Sequence, residues 1–211
     1  MAWCLWLLVS WGMNLAIDPP HMPDVVPSGD RGHEFAERIT PAVRGMIVSM
    51  MIGIGFAWPV MRLSQRRPER AGRTAFNDVA SLTLVNQVVI WPLRTLVGWS
   101  LGRTLVVDLT LTAWACWVAL LIWIGWRRDS GSSRAWAMVG CVMLMIGGYL
   151  LAWLTAWRAW SSWSPLQTLW VICDPAAEAM LPPATGRALF AAVAAAGVWA
   201  IMITRRRTHG E

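Results

Sequence analysis

The chain has 211 residues, of which 56% are hydrophobic, and a formal net charge of +6 carried by Arg alone, with no Lys. A mean hydropathy of +0.47 excludes an ordinary soluble domain, whose surface must carry more charge. The positive charge does not point to nucleic acid, because no basic stripe interleaves with aromatic residues on a soluble element.

Six apolar runs cross or nearly cross a bilayer: 1–17, 45–61, 79–101, 104–126, 135–157 and 188–204. At 1.5 Å per residue the first, second and sixth reach only about 25 Å, so flanking residues must extend them. The expected fold is all-α: a polytopic transmembrane bundle of six helices, forming a single integral membrane domain over 1–211.

The first run has no basic residue ahead of it, and Asn14-Leu15-Ala16 is a poor small-x-small cleavage site. Both features favour a retained helix over a cleaved signal peptide. An outer loop at 18–44 follows, with Pro19, Pro20, Pro23 and Pro27 giving an extended strap. In it His33 and Glu37 stand four residues apart, as two ligands on one helix face can, but the second His of a zincin pattern is missing. A solvated acidic loop is the preferred reading, and no metal is assigned.

On the second run Gly45, Ser49, Gly53 and Ala57 recur every fourth residue, a small-residue stripe that admits a close neighbouring helix. Packing inside the bundle is preferred over an oligomer face. A basic inner loop, 62–78, leads to the third run, which carries Asn86 and Gln87 near mid-depth and Arg94 beyond Pro92. Pro92 should disturb that helix by removing a hydrogen bond near Val88. The fourth run adds Arg103 and Asp108.

Asn86, Gln87, Arg94, Arg103 and Asp108 form the candidate intramembrane polar site, because ionisable groups within a span are costly and mark function by default. The competing reading makes Asp108 a first-turn residue, stabilised by the helix dipole and paired with Arg94 or Arg103.

A second basic inner loop, 127–134, precedes the fifth run. Trp153, Trp157, Trp160 and Trp163 then step at helical spacing and are expected to lie along the outer membrane surface. A stacking platform for a ligand is the sharper alternative. The outer loop at 158–187 holds Asp174 and Glu178, and a basic tail, 205–211, follows the last run.

If six spans alternate, eleven Arg and four acids fall on one side, and seven Arg and seven acids on the other. Basic residues are retained in the cytoplasm, so both termini are expected inside. The 17 Trp against one Tyr divide by depth. Trp58, Trp99, Trp123, Trp126 and others fall near the interfaces, where indoles are at home, whereas Trp6, Trp11, Trp91, Trp114, Trp117 and Trp199 lie deep and need hydrogen-bond partners.

No cofactor is expected. His21, His33 and His209 lie outside the spans, and Cys4, Cys116, Cys141 and Cys173 form no CxxC pair. The set of expectations is a noncatalytic subunit or scaffold in a bacterial inner membrane, the source suggested by Arg-only, Trp-rich coding. Its partners would be the lipid bilayer and membrane proteins or further copies of the chain. A small secondary transporter using the polar site is the alternative, and an outer-leaflet lipid enzyme using Asp174, Glu178 and His33 comes third.

Overall fold

The computed structural model describes residues 2–17, 31–127, 130–174 and 181–208, and among them every regular element is helical. The helices are α1 (Ala2–Ile17), α2 (Arg31–Ile52), α3 (Trp58–Ser64), α4 (Ala71–Val97), α5 (Leu101–Arg127), α6 (Gly131–Thr155), α7 (Pro165–Ile172) and α8 (Leu181–Thr208). A π-helical turn, Gly53–Ala57, joins α2 to α3, and a 3-10 turn, Arg158–Trp163, precedes α7.

Among the described residues five segments are long and apolar enough to cross a membrane: Ile39–Ser64, Ala71–Val97, Leu101–Arg127, Gly131–Thr155 and Leu181–Ile201. The chain therefore has the build of a multi-pass membrane protein. α1, at 16 residues and about 24 Å, falls short of a usual span. Trp6 donates to the Ser49 carbonyl at 3.1 Å, and Asn14 lies over Gly45, so α1 runs antiparallel to α2.

α5 is the axis of the bundle, packing on α3, α4, α6, α7 and α8. Over its most apolar stretch 56% is buried, against 22% for α4, 17% for α6 and 22% for α8. Ala113, Ala115, Ala119 and Gly125 let neighbours approach, and a helix apolar all round suits such a central place.

Local chemistry sets the helix ends. Gly98 at φ 68° closes α4, where a residue with a Cβ would be strained, and the Ser100 hydroxyl accepts the Arg103 N–H at 3.2 Å to cap α5. Ser130 caps α6 in the same way, accepting from the Ser133 N–H at 3.3 Å. The π turn lies just ahead of Pro59, which lacks an N–H for the Gly55 carbonyl; the Trp58 N–H reaches back to the Gly53 carbonyl instead. Pro92, in contrast, leaves α4 continuous.

Several sequence boundaries are corrected. The segment 31–44, read as loop, is the start of α2; its charges made it look like loop, although a spanning helix that projects into water carries them too. The larger correction concerns 158–187. α6 stops at Thr155 because Ala156 adopts a left-handed φ of 53°, so the four Trp do not continue one helix. The chain turns back into the bundle instead: the Ser164 hydroxyl donates to the Met145 carbonyl at 2.8 Å, ten residues or about 15 Å before the end of α6.

Gly148 makes this descent possible, since a Cβ there would sit 2.7 Å from the Trp160 carbonyl oxygen and 2.8 Å from the Ser164 nitrogen. α7 then climbs outward with Pro165, Thr168, Leu169 and Ile172 buried.

Candidate functional site

The polar residues of α4 and α5 converge on one seam. Gln87 donates through Nε2 to Asp108 Oδ1 at 2.5 Å, and the Trp91 indole N–H donates to Gln87 Oε1. Gln87 and Trp91 are one helical turn apart on α4, which places both against the same stretch of α5. Gln87 and Asp108 are half-buried, while Val88 and Trp91 beside them are exposed on the outer face of the bundle.

Two features of the sequence reading change here. α5 begins at Leu101, not 104, so Asp108 lies seven residues or about 10 Å inside the helix, beyond the first turn where the dipole acts. Asp108 also forms no ion pair: among the described residues its hydrogen-bond partner is the neutral amide of Gln87. Arg94 sits in the last turn of α4, where a cation offsets the carbonyl dipole, and makes no ion pair among the described residues. Arg103 is buried at the start of α5, and Asn86 is buried on α4 with its Oδ1 lacking a hydrogen-bond partner. The structure thus joins Gln87, Asp108 and Trp91 and leaves Asn86, Arg94 and Arg103 outside that chain.

At the opposite end of the bundle from α7, charges neutralise one another. Arg62 pairs with Asp78 and donates to Gln65 Oε1 at 3.0 Å. Arg134 reaches across from α6 to the Gln65 carbonyl at 3.0 Å, and Trp126 donates to the Arg62 carbonyl at 3.2 Å. Trp126 of α5 thus satisfies a carbonyl in the last turn of α3, and Arg134 of α6 the capping carbonyl just beyond it.

At the α7 end Arg44 meets Asp174 at 3.5 Å and lies 3.9 Å over the Trp170 ring. Cys173 is fully buried nearby; burial pushes its thiol up to about 12, although the Arg44 and Arg103 guanidinium groups pull the other way. Asp174, one of the reagents considered for an enzyme, is therefore engaged with a cation. Glu178 lies outside the described residues, as do the side chains of His33 and Glu37, whose backbone belongs to α2.

Half of the small-residue stripe faces one neighbour. Gly45 and Ser49 face α1, where Asn14 Nδ2 lies 3.4 Å from the Ser49 hydroxyl, while Gly53 is buried in the π turn and Ala57 half-buried. Trp153, Trp157 and Trp163 are exposed and Trp160 half-buried, with Trp157 and Trp160 edge to face at 5.7 Å. Four deep indoles find partners: Trp6, Trp91, Trp117 to the Ala191 carbonyl at 3.0 Å, and Trp199 to the Cys116 carbonyl at 3.4 Å. Trp58, Trp99, Trp123 and Trp126, read as interface residues, are buried among helices, and Trp123 stacks on Trp199 at 5.5 Å.

One residue escaped the sequence reading. Arg187 falls in the 158–187 segment expected as loop, yet α8 starts at Leu181 and carries it inside the Leu181–Ile201 span. Its Nε is buried without a hydrogen-bond partner. Pro182 and Pro183 concealed the helix start, although proline is at home in a first turn.

Comparison with protein-family models, with curated proteins and with solved structures returned no match.

Proposed function

We propose that this chain is a noncatalytic subunit or scaffold of a larger complex in a bacterial inner membrane, and that a partner's transmembrane helix docks on the α4–α5 seam. The carrying observation is the Trp91–Gln87–Asp108 chain, in which Gln87 and Asp108 are half-buried beside exposed Trp91 and Val88, on helices long and apolar enough to span a membrane. A carboxylate in that setting, answered within the chain by a neutral amide, favours a neighbour that brings a hydrogen-bond donor or a cation. An apolar groove of about 300 Å³ between α1 and α4, lined by Leu8, Trp11, Val88, Pro92 and Leu96, adjoins it. In this reading the whole chain is one membrane domain, α1 is a sixth and short membrane helix, and both termini are cytoplasmic, as the Arg distribution favours.

The test is purification in mild detergent. A membrane protein, or a second copy of the chain, should accompany the wild type in fixed stoichiometry and be lost from Asp108→Asn. Recovery of the wild type as a lone monomer contradicts the proposal.

One observation favours a transporter instead. The π turn and the tip of α7 both meet at Met145, whose side chain fills the space a Gly55 Cβ would need and whose carbonyl accepts from Ser164. Paired helix discontinuities are where transporters hold substrates. Solute or proton flux in vesicles that Asp108→Asn abolishes, with the chain alone reconstituted, would establish that reading over the subunit.

A further inference from the structure

Two clefts lie on either side of Arg187. The first, about 200 Å³, is walled by Trp114, Trp117, Trp163 and Phe190 over a floor of Ala188 and Ala191. The second, about 170 Å³, is lined by Gln167, Val171, Ile172, Pro183 and Ala184. Arg187, Ser162 and Thr168 line both. The two hydroxyls donate to the Ala159 and Ser162 carbonyls, at 2.7 and 3.0 Å, so the side-chain donors left for a ligand are the Arg187 guanidinium, the Gln167 amide and the Trp114 and Trp163 indoles, of which Arg187 alone is charged.

Arg187 makes no ion pair or hydrogen bond among the described residues, and its Nε is closed off from solvent. It lies six residues, or about 9 Å, from the start of α8, a depth near the boundary between headgroups and acyl chains. The rest of the first cleft is aromatic and aliphatic. Trp163 and Phe190, edge to face at 6.0 Å and both exposed, frame its mouth on the lipid side. Its volume is below that of a typical small-molecule pocket, which suits a ligand only partly enclosed.

We infer that the two clefts together bind an anionic phospholipid of the bilayer, with the phosphate on Arg187 and Gln167 and the first part of one chain between Trp163 and Trp117. A cation held between apolar walls selects a molecule with an anion at one end and hydrocarbon at the other. A planar guanidinium suits phosphate oxygens, and an indole-lined channel suits methylenes. The 3-10 turn and α7 are required for this site, because they supply Ser162, Trp163, Gln167 and Thr168 from a segment folded back into the bundle.

Native mass spectrometry of the full chain, released from nanodiscs of equal phosphatidylglycerol and phosphatidylcholine, tests the inference. The wild type should retain one phosphatidylglycerol in preference to phosphatidylcholine by about tenfold, equivalent to about 1.4 kcal/mol. Arg187→Gln should bring the ratio close to one, and Ala194→Phe, which fills the apolar channel and spares the cation, should reduce retention of both lipids. A circular dichroism spectrum matching the wild type separates either loss from misfolding. Millimolar inorganic phosphate should leave the bound lipid in place; its displacement would mean a small-anion site and overturn the lipid assignment. An Arg187→Gln variant that keeps the wild-type lipid ratio would overturn it as well.

Discussion

The α3–α6 end of the bundle and the α4–α5 seam treat the same side chain in opposite ways. Asp78 is answered within the chain by Arg62, in a network that also satisfies the end of α3 through Arg134 and Trp126. Asp108, on a spanning helix, receives a neutral amide, and its neighbours Val88 and Trp91 are exposed. A closed network speaks of folding. An acid that, among the described residues, meets only a neutral amide beside an open face speaks of something the chain meets after folding.

The contrast gives graded expectations. Arg62→Ala orphans a carboxylate that is 13% exposed, and unfolding stability in an SDS titration should fall by about 3 kcal/mol, the low end for a broken buried pair. Asp78→Asn, which keeps a hydrogen bond but removes the charge from it, should lose about 2 kcal/mol. Gly148→Val should unseat the descending turn, with a similar loss of about 2 kcal/mol from overpacking against backbone. In that variant Cys173 should become reactive to maleimide.

In the wild type Cys173 should stay unlabelled at pH 8. Alkylation needs the thiolate, and burial holds this thiol near 12, against an ordinary value of 9.0 that unfolding in SDS would restore. Asp108→Asn should move unfolding stability least, by under about 0.5 kcal/mol, since its amide oxygen still accepts from Gln87. A large loss there would erase the distinction between the two regions.

The sequence made the helical, membrane-spanning character plain because apolar runs of twenty or so residues admit few other structures. It also singled out Gln87 and Asp108, together with Asn86, Arg94 and Arg103, as polar groups among Val and Leu, and Trp91 as a deep indole. What it hid was backbone geometry. Ala156 carries no mark of a left-handed residue, so the Trp153–Trp163 spacing looks like one helical run. The fold-back of 158–172 depends on a contact between Gly148 and Trp160, which no local pattern encodes. Arg187 was missed for a related reason: a cation next to prolines looks like loop until the helix is seen to begin six residues earlier. The pairing of Asp108 likewise turned on three residues at the start of α5, which decide whether the helix dipole reaches it.

The seam itself offers the most direct measurement. A photo-crosslinking amino acid placed at Val88, activated in native membranes, should yield one discrete protein adduct that disappears when Asp108→Asn is introduced into the same chain. Adducts to lipid alone, or an adduct pattern indifferent to Asp108→Asn, would contradict the claim that this face is completed by a partner.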